Sequence, residues 1–199
     1  MTGLRDQIIS LARLSVQDPR RGARTLLSMD VPLPARTAGL LLMAVASAVL
    51  MHLGFLLLPP ANDQMSQFLM QSPIRTAVIQ WLILVISVFL IFQIGRAWGG
   101  HGSLPDTLLI VVWLQVIMLG VQVVQLLALI LAPPLAGIVN IAGLILFFWL
   151  LSSFIAELHG FASRGKVLAG IFATTFAVAL IVVFVLSLFI GPEALQGGV

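Results

Sequence analysis

From Thr107 to Ala156 the chain carries no charged residue. That stretch is more than twice the ~20 apolar residues one helix needs to cross a bilayer. Its one interruption is Ala132-Pro133-Pro134, where the missing amide hydrogens and the proline rings break a helix. A single kinked helix of that length would overrun any normal bilayer. Two spans joined as a tight hairpin fit instead. The rest of the chain is of the same kind. Hydrophobic residues make up 60% of its 199 residues and charged residues 9%, against roughly 25% charged in a soluble domain. So little polar surface cannot enclose a globule in water, and the bilayer must serve as solvent for most of it.

Five apolar runs emerge, at roughly 37–58, 74–94, 107–131, 135–156 and 167–190, each close to span length. Their ends carry chemical markers. Pro59-Pro60 closes the first run, and Ser72-Pro73 opens the second. Ser103-Leu104-Pro105-Asp106 opens the third with a serine cap and an acid three residues on, the capping-box arrangement. Ser163 precedes the fifth run, and Gly191-Pro192 ends it. The predicted fold is an all-α polytopic bundle of five transmembrane helices, with an N-terminal amphipathic cytoplasmic segment. The segment covers 1–35, the five-span domain 36–191, and a short extracytoplasmic tail 192–199.

The first 35 residues hold no long apolar run. Leu4, Ile8, Leu11 and Leu14 recur at helical spacing, with Arg5, Asp6 and Arg13 off that stripe. Asp18-Pro19 reads as an N-cap followed by a first-turn proline, starting a second short helix toward Leu27. Such helices suit the membrane surface. The first apolar run starts beyond the usual length of a signal peptide, so this segment is expected to stay on the protein.

Ten basic residues set the direction. With the N-terminus in the cytoplasm, Arg5, Arg13, Arg20, Arg21, Arg24, Arg36, Arg96, Arg164 and Lys166 fall on the cytoplasmic side. Arg75 alone falls outside. Nine against one predicts a multi-pass protein of the inner cell membrane, N-terminus in and C-terminus out. The formal charge of +3 is spent beside spans rather than clustered on a docking surface, so no nucleic-acid partner is expected. The lipid bilayer is the first partner. A cytoplasmic protein or a second copy of the chain is the next.

Ionisable residues inside spans usually mark function, because they are costly there. His52 is the only one well inside a predicted span, and it is most simply an internally bonded or interfacial histidine. Without a central Asp or Glu, a carboxylate proton relay is not expected. Amides are more numerous. Gln115, Gln122 and Gln125 share one face of the third span. Folding the fourth span back at Pro133 brings Asn140 to the depth of Gln125, where a hydrogen bond would tie the hairpin. These four residues form either interhelical glue or a polar path for a small solute. Small residues also line up, among them Ala44, Ser47, Ala48 and Met51 in the first span. Small faces let membrane helices approach closely.

Catalytic signatures are absent from the sequence. It has no zinc-helix, nucleophile-elbow or phosphate-loop motif, and no cysteine. No enzymatic activity, cofactor or metal is expected. Glu157-Leu158-His159 offers two ligand types without a third.

Two segments carry a resemblance. One is Gly99-Gly100-His101-Gly102-Ser103-Leu104, followed by Thr107 to Trp113. The other is Glu157-Leu158-His159-Gly160-Phe161-Ala162-Ser163, with Lys166 opening the fifth span. With five spans and a cytoplasmic N-terminal segment, they resemble bacterial members of the Yip family of Ypt/Rab-interacting membrane proteins, over about residues 15–190. The resemblance implies a five-span helical fold. Eukaryotic relatives bind prenylated Rab-type GTPases. This chain has no tyrosine and so lacks the Tyr-Gly-Pro-Phe-type motif of that branch. That activity is not carried over. The two loops have physical content of their own: Arg96, Gly99, Gly100, His101, Gly102, Glu157, His159 and Gly160 either close the cytoplasmic ends by capping and ion pairing or form a docking surface for a partner protein or lipid headgroup. The expected role is membrane organisation or partner recruitment without enzymatic activity.

Overall fold

A computed structural model describes residues 3–57 and 63–189. The proline pair at 59–60, Gly191-Pro192 and the 192–199 tail lie outside the described residues. Five of the eight described helices begin at a side-chain cap, from Asp18, Asp63, Ser72, Ser103 or Ser163. Helix α1 (Leu4–Gln17) is followed directly by α2 (Pro19–Leu27). Asp18 between them accepts the Arg21 amide at 3.1 Å, and Pro19 takes the first helical turn, where its missing amide hydrogen costs nothing. The two helices close tightly because Gly22 lies against Ser15. A Cβ at Gly22 would stand 2.6 Å from the Ser15 Cα.

Helix α3 (Leu33–Leu57) buries Leu40, Met43, Ala44, Ser47 and Ala48, so its small-residue face is the one that packs. The short α4 (Gln64–Met70) is capped by Asp63, which accepts the Ser66 amide at 2.8 Å. That contact holds the Asp63 carboxyl below its ordinary range. Helix α5 (Pro73–Ala97) starts at the Ser72 cap, and α6 (Leu104–Leu131) starts at Ser103. Ser103 accepts the Asp106 amide at 3.2 Å and donates its hydroxyl to Asp106 Oδ2 at 2.6 Å. Ala132, at φ −154° and ψ 74°, turns the chain into α7 (Pro133–His159).

Among the described residues, five helices are long and apolar enough to cross a membrane: α3, α5, α6, α7 and the stretch Arg164–Val185. The protein is a multi-pass membrane protein. At Ser103 and at His159 the helices outrun the apolar runs by about a turn, because the hydrogen-bonded helix continues to its cap after the apolar run has stopped.

Residues 1–162 form one compact unit. Within it α3 packs along α5 and α6, α6 along α7, and α2 against α6 and α7. Packing is uneven along the bundle. Leu150 to Ala156 of α7 are all buried, as are Thr107 to Val111 of α6. Consecutive burial means that protein covers every side of those turns. Toward Leu131 and Pro133 the same two helices show only half-buried and exposed positions. The dense end is the one that carries Arg20, Arg24, Arg36 and Arg96. We refer to it as the basic end. Residues from Ser163 onward form a second unit, helix α8 (Arg164–Phe189), in which Ser163 accepts the Lys166 amide at 3.3 Å.

Candidate functional site at the basic end

The two helices that terminate at the basic end do so in the same way. After α5, Gly99 adopts φ +84°, the left-handed conformation that glycine takes without penalty. The Gly99 amide then donates to the Arg96 carbonyl at 3.0 Å and the Gly100 amide to the Gly95 carbonyl at 2.8 Å. After α7, Gly160 adopts φ +75°. The Gly160 amide donates to Glu157 at 3.3 Å and the Phe161 amide to Ala156 at 2.8 Å. These paired bonds close a helix C-terminus around a left-handed glycine.

The two caps meet at His159. Its side chain is 1% exposed. Its carbonyl accepts the His101 amide at 3.3 Å, and its Nδ1 accepts the Gly102 amide at 3.3 Å. In a neutral ring the proton therefore sits on Nε2, which lies against Gly95 and faces the Ile91 carbonyl one turn earlier in α5. Three glycines leave room for the ring. A Cβ at Gly95 would collide with Nε2, one at Gly100 would stand 2.5 Å from Nδ1, and one at Gly102 would stand 2.9 Å from Cε1. Phe161 stacks on the ring at 5.6 Å between centroids. The histidine is a plug around which the α5–α6 loop is wrapped.

Helix α2 closes over this end. Arg20 donates to the carbonyls of Phe161 at 2.8 Å and Ala162 at 3.0 Å, satisfying groups that follow the α7 cap. Arg24 pairs with Glu157 at 2.8 Å. The Glu157 hydrogen bond, reinforced by its charge, pushes the Arg24 guanidinium further up from its already high range. The buried Ser15 hydroxyl accepts the Trp113 indole N–H at 2.9 Å. Arg36 of α3 holds the start of α6 through the Pro105 carbonyl at 2.7 Å and Asp106 at 3.1 Å.

The sequence brings Arg96 and His101 toward Glu157 and His159, and the geometry divides that set. The His101 backbone meets His159, but Glu157 is engaged by Arg24, and Arg96 lies over the Phe92 ring at 5.9 Å. Gly100, Gly102 and His159 are buried, while Arg96, Gly99, His101 and Gly160 are exposed. Beside them Trp98 is 54% exposed. Gly95, Trp98, Phe161, Arg20 and Arg24 lie outside the docking set that the sequence suggests. Gly95 offered a signal, as a glycine inside an apolar helical run. The arginines offered none beyond their charge.

The amides lie elsewhere. Gln115, Gln122 and Gln125 are half-buried on α6, and the Gln122 Oε1 is buried without a hydrogen bond. Asn140 is exposed on α7, and no hydrogen bond joins it to Gln125 among the described residues. The hairpin does bring the two to similar depth. Gly143, however, is the residue facing Val121 across it, and Asn140 is turned about 60° from that line at 100° per residue. His52 Nδ1 donates to the Ala48 carbonyl at 3.0 Å within its own helix, and its ring meets Phe55 edge-on at 5.6 Å. Its Nε2 is buried without a partner.

A family model, the Yip1 domain, matches residues 14–187. The chain belongs to the Yip1 domain family. The match covers the second helix, all five spans and both loops that meet at His159, so the glycine-wrapped histidine lies inside the family region. No curated protein and no solved structure matches the chain.

Proposed function

We propose that this Yip1-domain chain is a non-enzymatic membrane protein that organises membrane or recruits a partner through its basic end, which faces the cytoplasm. One observation carries the reading. Two loops distant in sequence are locked around His159, and the rim they leave exposed consists of Arg96, Trp98, Gly99, His101 and Gly160. A loop whose base is fixed and whose tip presents an aromatic and a cation loses little freedom when it binds. Tryptophan and arginine are also the residues that dominate binding surfaces. The partner is a cytoplasmic protein or a second copy of the chain. Nine basic residues against one favour the cytoplasmic placement.

A photo-crosslinking residue at position 98, compared with one at Leu131, tests this in native membranes. Leu131 is 79% exposed at the opposite end of the bundle. A discrete protein adduct at 98 and none at 131 is the expected result. Equal adducts at both positions, or adducts at 131 alone, would remove the basic end as the working surface.

The second reading is a small-solute channel or transporter along Gln115, Gln122 and Gln125. Two observations support it, the unpaired Gln122 Oε1 and His52 Nε2. Parallel packing puts these at matching depth. Arg36 meets Asp106 and Gly39 faces Val112, and continuing that register carries His52 to the level of Gln122. Solute uptake by the purified protein in liposomes, abolished by Gln122→Leu, would put this reading first.

A further inference from the structure

Helix α1 presents three faces. Leu11 and the fully buried Ser15 form the docked one. Counting about 100° per residue from Leu11, the arc from about 60° to 160° holds Ile8, Ala12, Val16 and Ile9. Ile8, Ile9 and Val16 are 42%, 54% and 42% exposed. Arg5 falls in the same arc. Arg13, Asp6, Gln17 and Ser10 occupy the remaining arc, and all are exposed. A docked face, an apolar face without a partner and a polar face is one face more than a helix lying on a soluble bundle needs.

The depth of α1 identifies what meets the apolar face. Its Ser15 is bonded to Trp113, nine residues into α6, or about 13 Å from the start of that helix at 1.5 Å per residue. Helix α6 has 28 residues and so extends about 42 Å, against a hydrocarbon core of about 30 Å. Even with all the excess, about 12 Å, projecting at the basic end, Trp113 still reaches the hydrocarbon edge. Ser15 is held at that level too.

We infer that α1 lies in the headgroup layer of the leaflet at the basic end, with Ile8, Ile9 and Val16 in the acyl boundary and Arg5 and Arg13 on anionic lipid phosphates. Arg5 reaches the headgroups by extending its apolar stem along the lipid-facing arc. Arg13 borders the polar face and needs no such detour. At the depth set by Ser15 and Trp113 the apolar arc lies at the hydrocarbon edge, so the bilayer is the occupant that meets it. Docking by Leu11 and Ser15 holds the C-terminal half of the helix and sets which face meets lipid, while the arginines draw the N-terminal half down. Little ordering remains to oppose insertion.

The chain contains no cysteine, so single spin labels can be placed without removing any native residue. Full-length protein with Ile9→Cys, Val16→Cys or Ser10→Cys is reconstituted in vesicles of phosphatidylcholine and phosphatidylglycerol. Labels at 9 and 16 are expected to be open to oxygen and shielded from a water-soluble nickel chelate, and the label at 10 the reverse. Replacing Arg5 and Arg13 with glutamine is expected to lift the label at 9 toward water in these vesicles and to leave it unmoved in pure phosphatidylcholine. Equal nickel access at 9, 16 and 10 would overturn the inference. So would dipolar broadening at 9 that disappears on dilution with unlabelled protein, which would mean that a second copy covers the face. An unchanged depth in the arginine variants would overturn the assignment of the phosphates.

Discussion

A methyl group added at Gly95 sets two effects against each other. Replacing glycine by alanine inside a helix gains about 0.5–1 kcal/mol. Overpacking a filled site costs about 1–3 kcal/mol, and the colliding His159 ring is buried on all sides and bonded through Nδ1. The collision wins, so Gly95→Ala is expected to destabilise the detergent-solubilised protein by roughly 2 kcal/mol. Gly120, in the interior of α6 with nothing near its Cβ position, serves as the control. There Gly120→Ala should be neutral or stabilising by up to about 1 kcal/mol. Combining Gly95→Ala with His159→Ala should lose less than the sum of the two single changes, since the vacated ring site accepts the methyl. Thermal unfolding of the four proteins decides it. Additive losses would mean that Gly95 and His159 do not share that space.

The α1–α2 hairpin is held by shape more than by charge. Gly22→Val forces a side chain into the Ser15 backbone and should free the hairpin, so that trypsin cuts at Arg13 and Arg20 faster than in the parent protein. Arg24→Ala should leave the cutting rate unchanged, because Arg24 is largely exposed and such pairs contribute little. Faster cutting in the Arg24 variant, with no change in the Gly22 variant, would reverse that ranking. The helices themselves are largely readable, because many of their boundaries are local events, such as a proline pair at 133 or a serine cap at 72 or 103. Helix α4 went unread although Asp63 and Ser66 supply its cap. Seven residues carry too little periodicity to announce a helix. How the elements meet was harder to read. Glu157 finds Arg24 rather than Arg96 because Ser15 packs on Gly22 and bonds Trp113, bringing α2 over the end of α7, and these two contacts leave no trace in hydrophobic spacing. Asn140 misses Gln125 for a similar reason. Equal depth along a hairpin follows from counting residues, whereas facing each other depends on the rotation of each helix.

Within the first unit, α6 and α7 are fully enclosed by protein at the basic end and only partly covered toward Leu131 and Pro133. Such asymmetry fits a molecule that presents a fixed surface on one side of a membrane. Its resemblance to the Yip family was legible in the two loop segments, and the structure shows why they belong together, since both wrap His159. The central claim is that this end works in the cytoplasm, and its direction can be measured without reference to any partner. Because the chain has no cysteine, His101→Cys and Leu135→Cys each provide one thiol, at opposite ends of the bundle and both exposed. A membrane-impermeant maleimide applied with access only to the extracytoplasmic face should label Leu135→Cys at once and His101→Cys only after permeabilisation. Immediate labelling of His101→Cys, with Leu135→Cys protected, would invert the molecule and contradict the account.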